Sequence, residues 1–479
     1  MTDQMQGRVL DPDHPCLTPN FDRLAARGVR FERAYTTSAT CSPARASLMT
    51  GLLPHNHGVL WVTHLVDEDQ GLLRTDKPHW AQRLVAAGYR TGYFGKWHVE
   101  RCEDPSRFGW QVSMPEKGKA FDEHRKQLLG DAPADPTCSL SCYNDQPPGY
   151  ASSIHYGVTD QPAEHRSAGV TASAASPFLD EAIAGDGPWC CFVSTQQPHD
   201  PFIAGCDTFE QYDVEALPVP PNWHDDSPHR PGIYRKQAQL WADRSDRQRR
   251  EAAACYYANI SEVDEQFGKL LDKVEQAGQS ENTIIVIGSD HGELLGAHGL
   301  YCKNFSAYEE IYNIPLIIAG PGVADGAVSR ARVGLHDLGA TLLDLVGLES
   351  DGPFGSPDSR SVVDAVRDPA AHDRRFSTGF AEYFGGRYMV TQRVVWDGPW
   401  KFVHNGFDFD ELYNLDDDPW EMHNLSQDPA FHDRVRQMMI LAWRYMRDTG
   451  DQSLLNTGYP ILRAAPVGPG AADESMATE

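Results

Sequence analysis

The chain has 479 residues, room for one large α/β domain and a smaller one. Its 42 Lys and Arg stand against 68 Asp and Glu, a net charge of −26. That balance excludes the basic face of a nucleic-acid binder and speaks against docking on an anionic membrane. With 41% hydrophobic and 10% aromatic residues it can bury a sizeable core, and it has no apolar run of the ~18 residues that a membrane span needs.

The opening, MTDQMQGRVLD, has no charged segment followed by an apolar stretch. It does not read as a leader, and the chain as written reads as cytoplasmic. Ten cysteines, two of them adjacent at Cys190 and Cys191, are too sparse for a disulfide framework. They read as reduced, mostly buried thiols.

In chain order, Thr18-Pro19-Asn20 opens a helix with Phe21, Leu24 and Ala25 on one face and Gly28 as its stop. Pro43 suits the first turn of a second helix, running through Arg45 to Gly51. Pro78 to Ala87 reads as a third, followed by a strand from Tyr89 to Phe94. Residues 105–156 and 207–231 are irregular, as lids or specificity loops are. Trp189 to Thr195 is a buried-strand candidate. A long helix from Ser245 to Gly278 keeps Ile260, Val263, Phe267, Leu270, Leu271 and Val274 at helical spacing. Strands follow at Thr283–Ile287 and Ile314–Ala319. From about Phe376 the texture changes. Tyr388–Trp396 and Trp400–Val403 read as antiparallel strands turning at Asp397-Gly398-Pro399. This divides the chain into a catalytic unit at 1–375, a small α+β subdomain at 376–463, and a disordered tail at 464–479.

Short apolar strands alternating with amphipathic helices predict a mainly parallel central sheet covered on both faces. In such folds the chemistry sits at the carboxyl ends of strands. Three predicted strands end in Gly95-Lys96-Trp97-His98, in Gln197-Pro198-His199-Asp200-Pro201, and in Ser289-Asp290-His291-Gly292. Each carries histidine beside another ionisable group. Cys41-Ser42-Pro43-Ala44-Arg45 is equally pointed: a C-x-P-x-R spacing arises about 0.06 times by chance at this composition. Cys41 falls at a helix N-terminus, where a thiolate or bound anion is favoured.

Cys41 through Gly51 closely resembles the signature of the type I sulfatases, the formylglycine-dependent branch of the alkaline-phosphatase superfamily. So do Thr18 to Ala25, Gly28 to Phe31, the three strand-end motifs above, and Glu411-Leu412-Tyr413-Asn414-Leu415 through Asn424-Leu425. The resemblance runs in order over most of the chain and matches least in the two irregular stretches. It implies an alkaline-phosphatase-like α/β fold and hydrolysis of a sulfate monoester on a small molecule or glycan. It implies that a formylglycine-generating enzyme oxidises Cys41 to formylglycine, whose gem-diol attacks sulfur and later expels sulfate.

By the same resemblance, a divalent cation is held by Asp3, Gln4, oxidised Cys41, Asp290 and His291. The oxygen-rich set suits Ca²⁺, and His291 makes Mn²⁺ the other candidate. Arg45 and Lys96 hold the gem-diol, and His98 takes its second proton. His199 and Lys303 bind the bridging oxygen and protonate the leaving group. His55, His57, His298 and His336 read as packing or capping residues. In the family an apolar strand precedes the first acidic residue. Here Asp3 is the third residue, so the expectation is a sheet without its N-terminal strand and an Asp3 without a rigid platform. Two other readings stand beside the sulfatase: a phosphonate monoester or phosphodiester hydrolase of the same superfamily, and an inactive binding protein motivated by the missing strand.

Overall fold

The computed structural model describes the chain except residues 68–70, 75–78, 103, 131–137, 145–147, 226–227, 304, 349–357, 387, 456–462 and 475–479. Seven strands build the central sheet: β1 (Gly28–Phe31), β2 (Arg90–Gly95), β3 (Val112–Pro115), β4 (Trp189–Ser194), β5 (Ile285–Gly288), β6 (Leu316–Ala319) and β7 (Ala327–Ser329). They form two hydrogen-bonded groups, β7-β1-β6-β5 and β3-β2-β4. β2 runs parallel to both β3 and β4, and β1 runs parallel to β7; β6 is antiparallel to β1 and β5.

The chain's first residues join the two groups. Thr2 N–H donates to Gly288 O (2.9 Å) at the end of β5, and Asp3 N–H donates to Gln197 O (3.3 Å) beyond β4. Thr195 N–H returns a bond to Met1 O at 3.0 Å. Both bridges are parallel. Asp3 is therefore pinned from both sides at the carboxyl ends of the flanking strands, and it is fully buried. Behind Met1 an apolar cavity of about 240 Å³ separates the facing edges of β4 and β5, lined among others by Phe192, Val286, Leu271 and Leu338.

Side chains alternate across the sheet as the pleat requires. Leu316 and Ile318 of β6 enter the core under helices Cys41–Thr50, Trp80–Ala86 and Asp337–Leu345. Ile317 and Ala319 enter the opposite core, beneath Pro19–Ala25 and the long helix Asp246–Gln276. That helix starts on a capping box, Ser245 with Gln248. A separate antiparallel sheet, Thr378–Tyr383, Gln392–Asp397, Trp400–Asn405 and Glu411–Asn414, packs Val395, Phe402 and Leu412 on Met438, Met439 and Met446 of helix His432–Thr449. Among the described residues no helix is long and apolar enough to cross a membrane.

Several elements differ from the sequence reading. Gly28 opens β1 instead of stopping the first helix. A Cβ there would lie 2.4 Å from Ile318 O, so the glycine serves the close approach of β6. Residues 105–156 are more regular than expected. They contain β3, a helix at Lys119–Leu129, and a hairpin of Cys138–Asn144 with Ser153–Thr159. The helix buries only Phe121 and Leu129, too few to show a periodicity. Beyond 463, Ala465, Val467 and Ala472 pack against helix His432–Thr449; the predicted tail's residues 475–479 lie outside the described residues, as does Pro78.

Candidate active site

The site is built at one end of the central sheet. Helix Cys41–Thr50 is buried along its whole length and ends at Gly51, whose φ of 70° suits a left-handed cap. Cys41 is its first residue. The Sγ, which marks where the oxygens of an oxidised side chain would stand, lies 3.1 Å from His291 Nε2 and 3.9 Å from Asp3 Oδ1. One turn on, Arg45 spans both carboxylates: Nε donates to Asp290 Oδ2 (2.7 Å) and one terminal nitrogen to Asp3 Oδ2 (3.2 Å). Its other terminal nitrogen donates to Lys96 O (3.0 Å) and Ser194 Oγ (2.9 Å), which ties the helix to the ends of β2 and β4. Lys96 Nζ pairs with Asp3 as well.

His291 Nδ1 sits 2.9 Å from Gly292 O. A carbonyl only accepts, so Nδ1 carries the proton and Nε2 is directed at Cys41. The same logic applies to His199, whose Nδ1 lies 2.7 Å from Asp200 O and whose Nε2 meets Lys303 Nζ. Lys303 also donates to Gln4 Oε1. His98, at φ 50°, places Nε2 3.2 Å from His64 Nδ1. Cys41, Lys96, His98, His199 and Lys303 line one cavity of about 460 Å³ that opens between His64, Glu116 and Asp200.

Burial and charge compete at every ionisable group here. Burial pushes the Cys41 thiol up, but Lys303, Lys96 and His291 outweigh it and hold the group well below the usual thiol range. Burial and Cys41 push the Asp3 carboxyl up, and Lys96, His199 and Arg45 carry it far down. Burial lowers His98 to about 4, which leaves it a neutral base. Burial would lower His291 as well, yet Asp290 and Cys41 raise it to about 9.

The donor atoms of Asp3, Cys41, Asp290 and His291 all lie within 4.8 Å of one another and are buried. Two carboxylates, an imidazole nitrogen and a position for an oxidised side chain form a donor set that a divalent cation fits. The structure thus brings together Asp3, Gln4, Cys41, Arg45, Lys96, His98, His199, Asp290, His291 and Lys303. His55, His57 and His298 stand apart, on Glu382, Ser47 and Asp225, and His336 faces Asp337.

A family model described as Sulfatase matches residues 2–348. The chain belongs to the sulfatase family. It is a hydrolase of sulfate esters within the alkaline-phosphatase superfamily. A second model, described as N-sulphoglucosamine sulphohydrolase, C-terminal, matches residues 296–445. This sulfatase is 30% identical over 475 residues to a choline-sulfatase of Rhizobium meliloti, covering 93% of this chain and 85% of the relative. It is 32% identical to an uncharacterized sulfatase of Escherichia coli, YidJ, covering 89% and 81%. Among solved structures, a phosphonate monoester hydrolase from Silicibacter pomeroyi superposes with a TM-score of 0.77 at 23% identity, covering 95% of each chain. That likeness establishes the alkaline-phosphatase-like fold.

The sequence reading gave no role to His64, Ser194, Asp200 or Glu293. Asp200 and Glu293 lay inside quoted motifs, next to residues that drew the attention. His64 and Ser194 carry no local signal, since a loop and a distant strand end bring them in.

Proposed function

We propose that this sulfatase cleaves a sulfate monoester with Cys41 as its matured nucleophile and with a divalent cation, Ca²⁺ before Mn²⁺, held by Asp3, Gln4, Asp290 and His291. The observation that supports the reading is the placement of the Cys41 Sγ among three buried ligand groups within 4.8 Å, at the floor of a cavity that also exposes Lys96, His199 and Lys303. Oxidised to formylglycine by its generating enzyme, Cys41 supplies a hydrated aldehyde, and the cation supplies charge to the sulfate oxygens.

The other residues act through charge and protons. Arg45, Lys96 and Lys303 bring three cations to the site of an otherwise acidic chain, and Lys96 and Lys303 line the cavity where the monoanionic sulfate ester would sit. His199 and Lys303, whose Nζ meets His199 Nε2, together supply the proton for the departing alcohol. His98, held neutral by burial, is the base for the hydroxyl on Cys41, and it adjoins the exposed His64. The substrate is the sulfate of a small alcohol or a glycan end that a cavity of about 460 Å³ admits.

Production with and without a formylglycine-generating enzyme tests the reading. Mass spectrometry of the Cys41 peptide should report the aldehyde only with it, and hydrolysis of nitrophenyl sulfate should rise in proportion. Full turnover by unmodified Cys41 would overturn it. The phosphonate monoester hydrolase stays the second reading, since a hydrolase of that class shares this fold. Parallel assays with a phenyl phosphonate monoester decide between them: the sulfate ester should have the higher kcat/KM.

A further inference from the structure

One buried acid touches both halves of the site. Glu293 is fully buried two residues past His291. Its Oε2 accepts from Gln4 Nε2, and its Oε1 accepts the backbone N–H of Leu295 (3.0 Å) and of Cys302 (2.6 Å). Asp200 Oδ1 accepts from the same Gln4 nitrogen at 2.9 Å. The Gln4 amide therefore has one orientation. Its nitrogen faces two carboxylates and its oxygen faces the Lys303 ammonium. Turned over, it would set oxygen against anions and nitrogen against a cation.

The backbone around this acid is unusual. Gln4, Leu295 and Cys302 have φ of 73°, 48° and 67°. Residues other than glycine stay in this region only where their surroundings hold them. Glu293 bonds the side chain of the first and the N–H of the other two. Cys302 directly precedes Lys303, so the acid reaches the sulfate side of the site as well as the metal side.

We propose that Glu293, assisted by Asp200, is the positioning residue that aims the Gln4 oxygen at the metal position and the Cys302–Lys303 turn at the sulfate position. This rests on the reading of Gln4 as a metal ligand and Lys303 as a sulfate contact. A consequence follows for substitution. Both Glu293 oxygens accept, so Glu293→Gln sets an N–H donor against another donor at one end. Gln4→Asp adds a carboxylate, ordinarily a gain for Ca²⁺. Here it faces Asp200 and Glu293 and repels both. In the double variant the mismatch with position 293 is relieved, and only the repulsion between the new carboxylate and Asp200 remains. The new amide nitrogen donates to the new carboxylate, while the amide oxygen still accepts the backbone N–H groups.

The test is a double-mutant cycle on the full-length, formylglycine-bearing protein, read by calorimetric titration with Ca²⁺ alone and by KM for a sulfate ester. Glu293→Gln and Gln4→Asp should each weaken Ca²⁺ binding about tenfold or more and raise KM, and the double variant should bind Ca²⁺ more tightly than either single variant, recovering the part of the loss that does not come from Asp200. A purely structural role would lower thermal stability without this recovery of affinity. Additive losses, or unchanged Ca²⁺ affinity in Glu293→Gln, overturn the proposal. Asp290→Ala is the reference. If it loses Ca²⁺ while Glu293→Gln does not, the positioning role alone is wrong; if neither loses it, the metal reading falls too. Should Glu293→Gln fail to fold, Asp200→Asn on the cavity rim replaces it, with about threefold weaker Ca²⁺ binding expected and unchanged binding overturning the proposal.

Discussion

Cys41 Sγ lies 3.1 Å from His291 Nε2, and the proton on His291 Nδ1 is committed to Gly292 O at 2.9 Å. Cys41 and His291 are thus held side by side, with the imidazole ring oriented by a backbone carbonyl. Cys41→Ala should abolish turnover and leave the folded state intact, because alanine fits the start of a helix and the loss is confined to the buried contacts with His291 and Asp3. Thermal unfolding and nitrophenyl sulfate release, measured on the same preparation, check both halves. Residual activity above a few per cent would place the nucleophile elsewhere.

Asp290 tests the cation. Its Oδ2 receives Arg45 Nε at 2.7 Å, and its Oδ1 receives the N–H of Gln4 (3.1 Å) and of His291 (2.9 Å). It holds the backbone of Gln4 and of His291 besides offering an oxygen to the proposed cation. Asp290→Ala should therefore weaken divalent-cation binding by more than the ~10–100-fold typical of a second-layer partner. Exhaustive chelation should inactivate the parent, with activity returning on addition of Ca²⁺ or Mn²⁺. Metal analysis and activity after dialysis read the outcome.

His199 should show its role through the leaving group. A general acid contributes about 10²–10⁴-fold where the departing alcohol is poor and little where it is good. His199→Ala should slow an alkyl sulfate by at least about tenfold more than nitrophenyl sulfate. Equal losses on both substrates would reduce His199 to a positioning contact for Lys303.

Much of this site was legible because its parts lie in short motifs at strand ends, where an α/β fold gathers chemistry. Cys41 and Arg45 share a helix face by spacing alone, and Asp290 and His291 follow an apolar run. What stayed hidden depends on long-range contact. Asp3 looked unsupported with two residues ahead of it, yet Gly288 and Gln197, far along the chain, supply the carbonyls that hold it. Glu293 and Asp200 converge on Gln4 from separate loops, an arrangement that periodicity and spacing do not encode. The hairpin Cys138–Asn144 with Ser153–Thr159 was missed although Cys138, Leu140 and Cys142 alternate with exposed Ser139, Ser141 and Tyr143, because small cysteines and serines give a weak signal inside a stretch rich in Pro, Gly and Asp.

His55 gives a pH dependence that is independent of the chemistry. Nδ1 lies 2.8 Å from Glu382 Oε1 and Nε2 lies 3.1 Å from Thr449 O, so both nitrogens face acceptors and the imidazolium satisfies both. Burial would lower its pKa, but the Glu382 hydrogen bond and charge, with the Thr449 carbonyl, raise it from 6.5 to about 9. A raised folded-state value means stability that is fully present below about 6.5 and is lost as pH climbs through about 9. The contribution is on the order of 2–3 kcal/mol. His55→Ala should lower stability at pH 6 by that amount and flatten the decline between pH ~6.5 and ~9. Denaturant unfolding at three pH values measures it, and a decline of unchanged slope in the variant would refute the assignment.

Thr2 joins the fold to the proposed metal site. Its N–H donates to Gly288 O at 2.9 Å, while Asp3 N–H donates to Gln197 O at 3.3 Å. These bonds hold the Asp3 backbone in the plane of the sheet, so that its carboxylate meets Arg45 and Lys96 without freedom to swing. Proline at position 2 removes one of the two donors and leaves the Gly288 carbonyl short of a partner, at a cost of about 1 kcal/mol. The larger effect should fall on function, because a ligand carboxylate that must be ordered on binding loses the advantage of being ordered beforehand. Thr2→Pro should weaken Ca²⁺ binding about tenfold while reducing thermal stability only slightly. Thr2→Val keeps the N–H and the extended preference, loses only the 3.4 Å bond from Oγ1 to Gly288 O, and should match the parent in Ca²⁺ binding. If Thr2→Pro binds Ca²⁺ as the parent does, the pairing of the first residues with the ends of β4 and β5 is not what places Asp3.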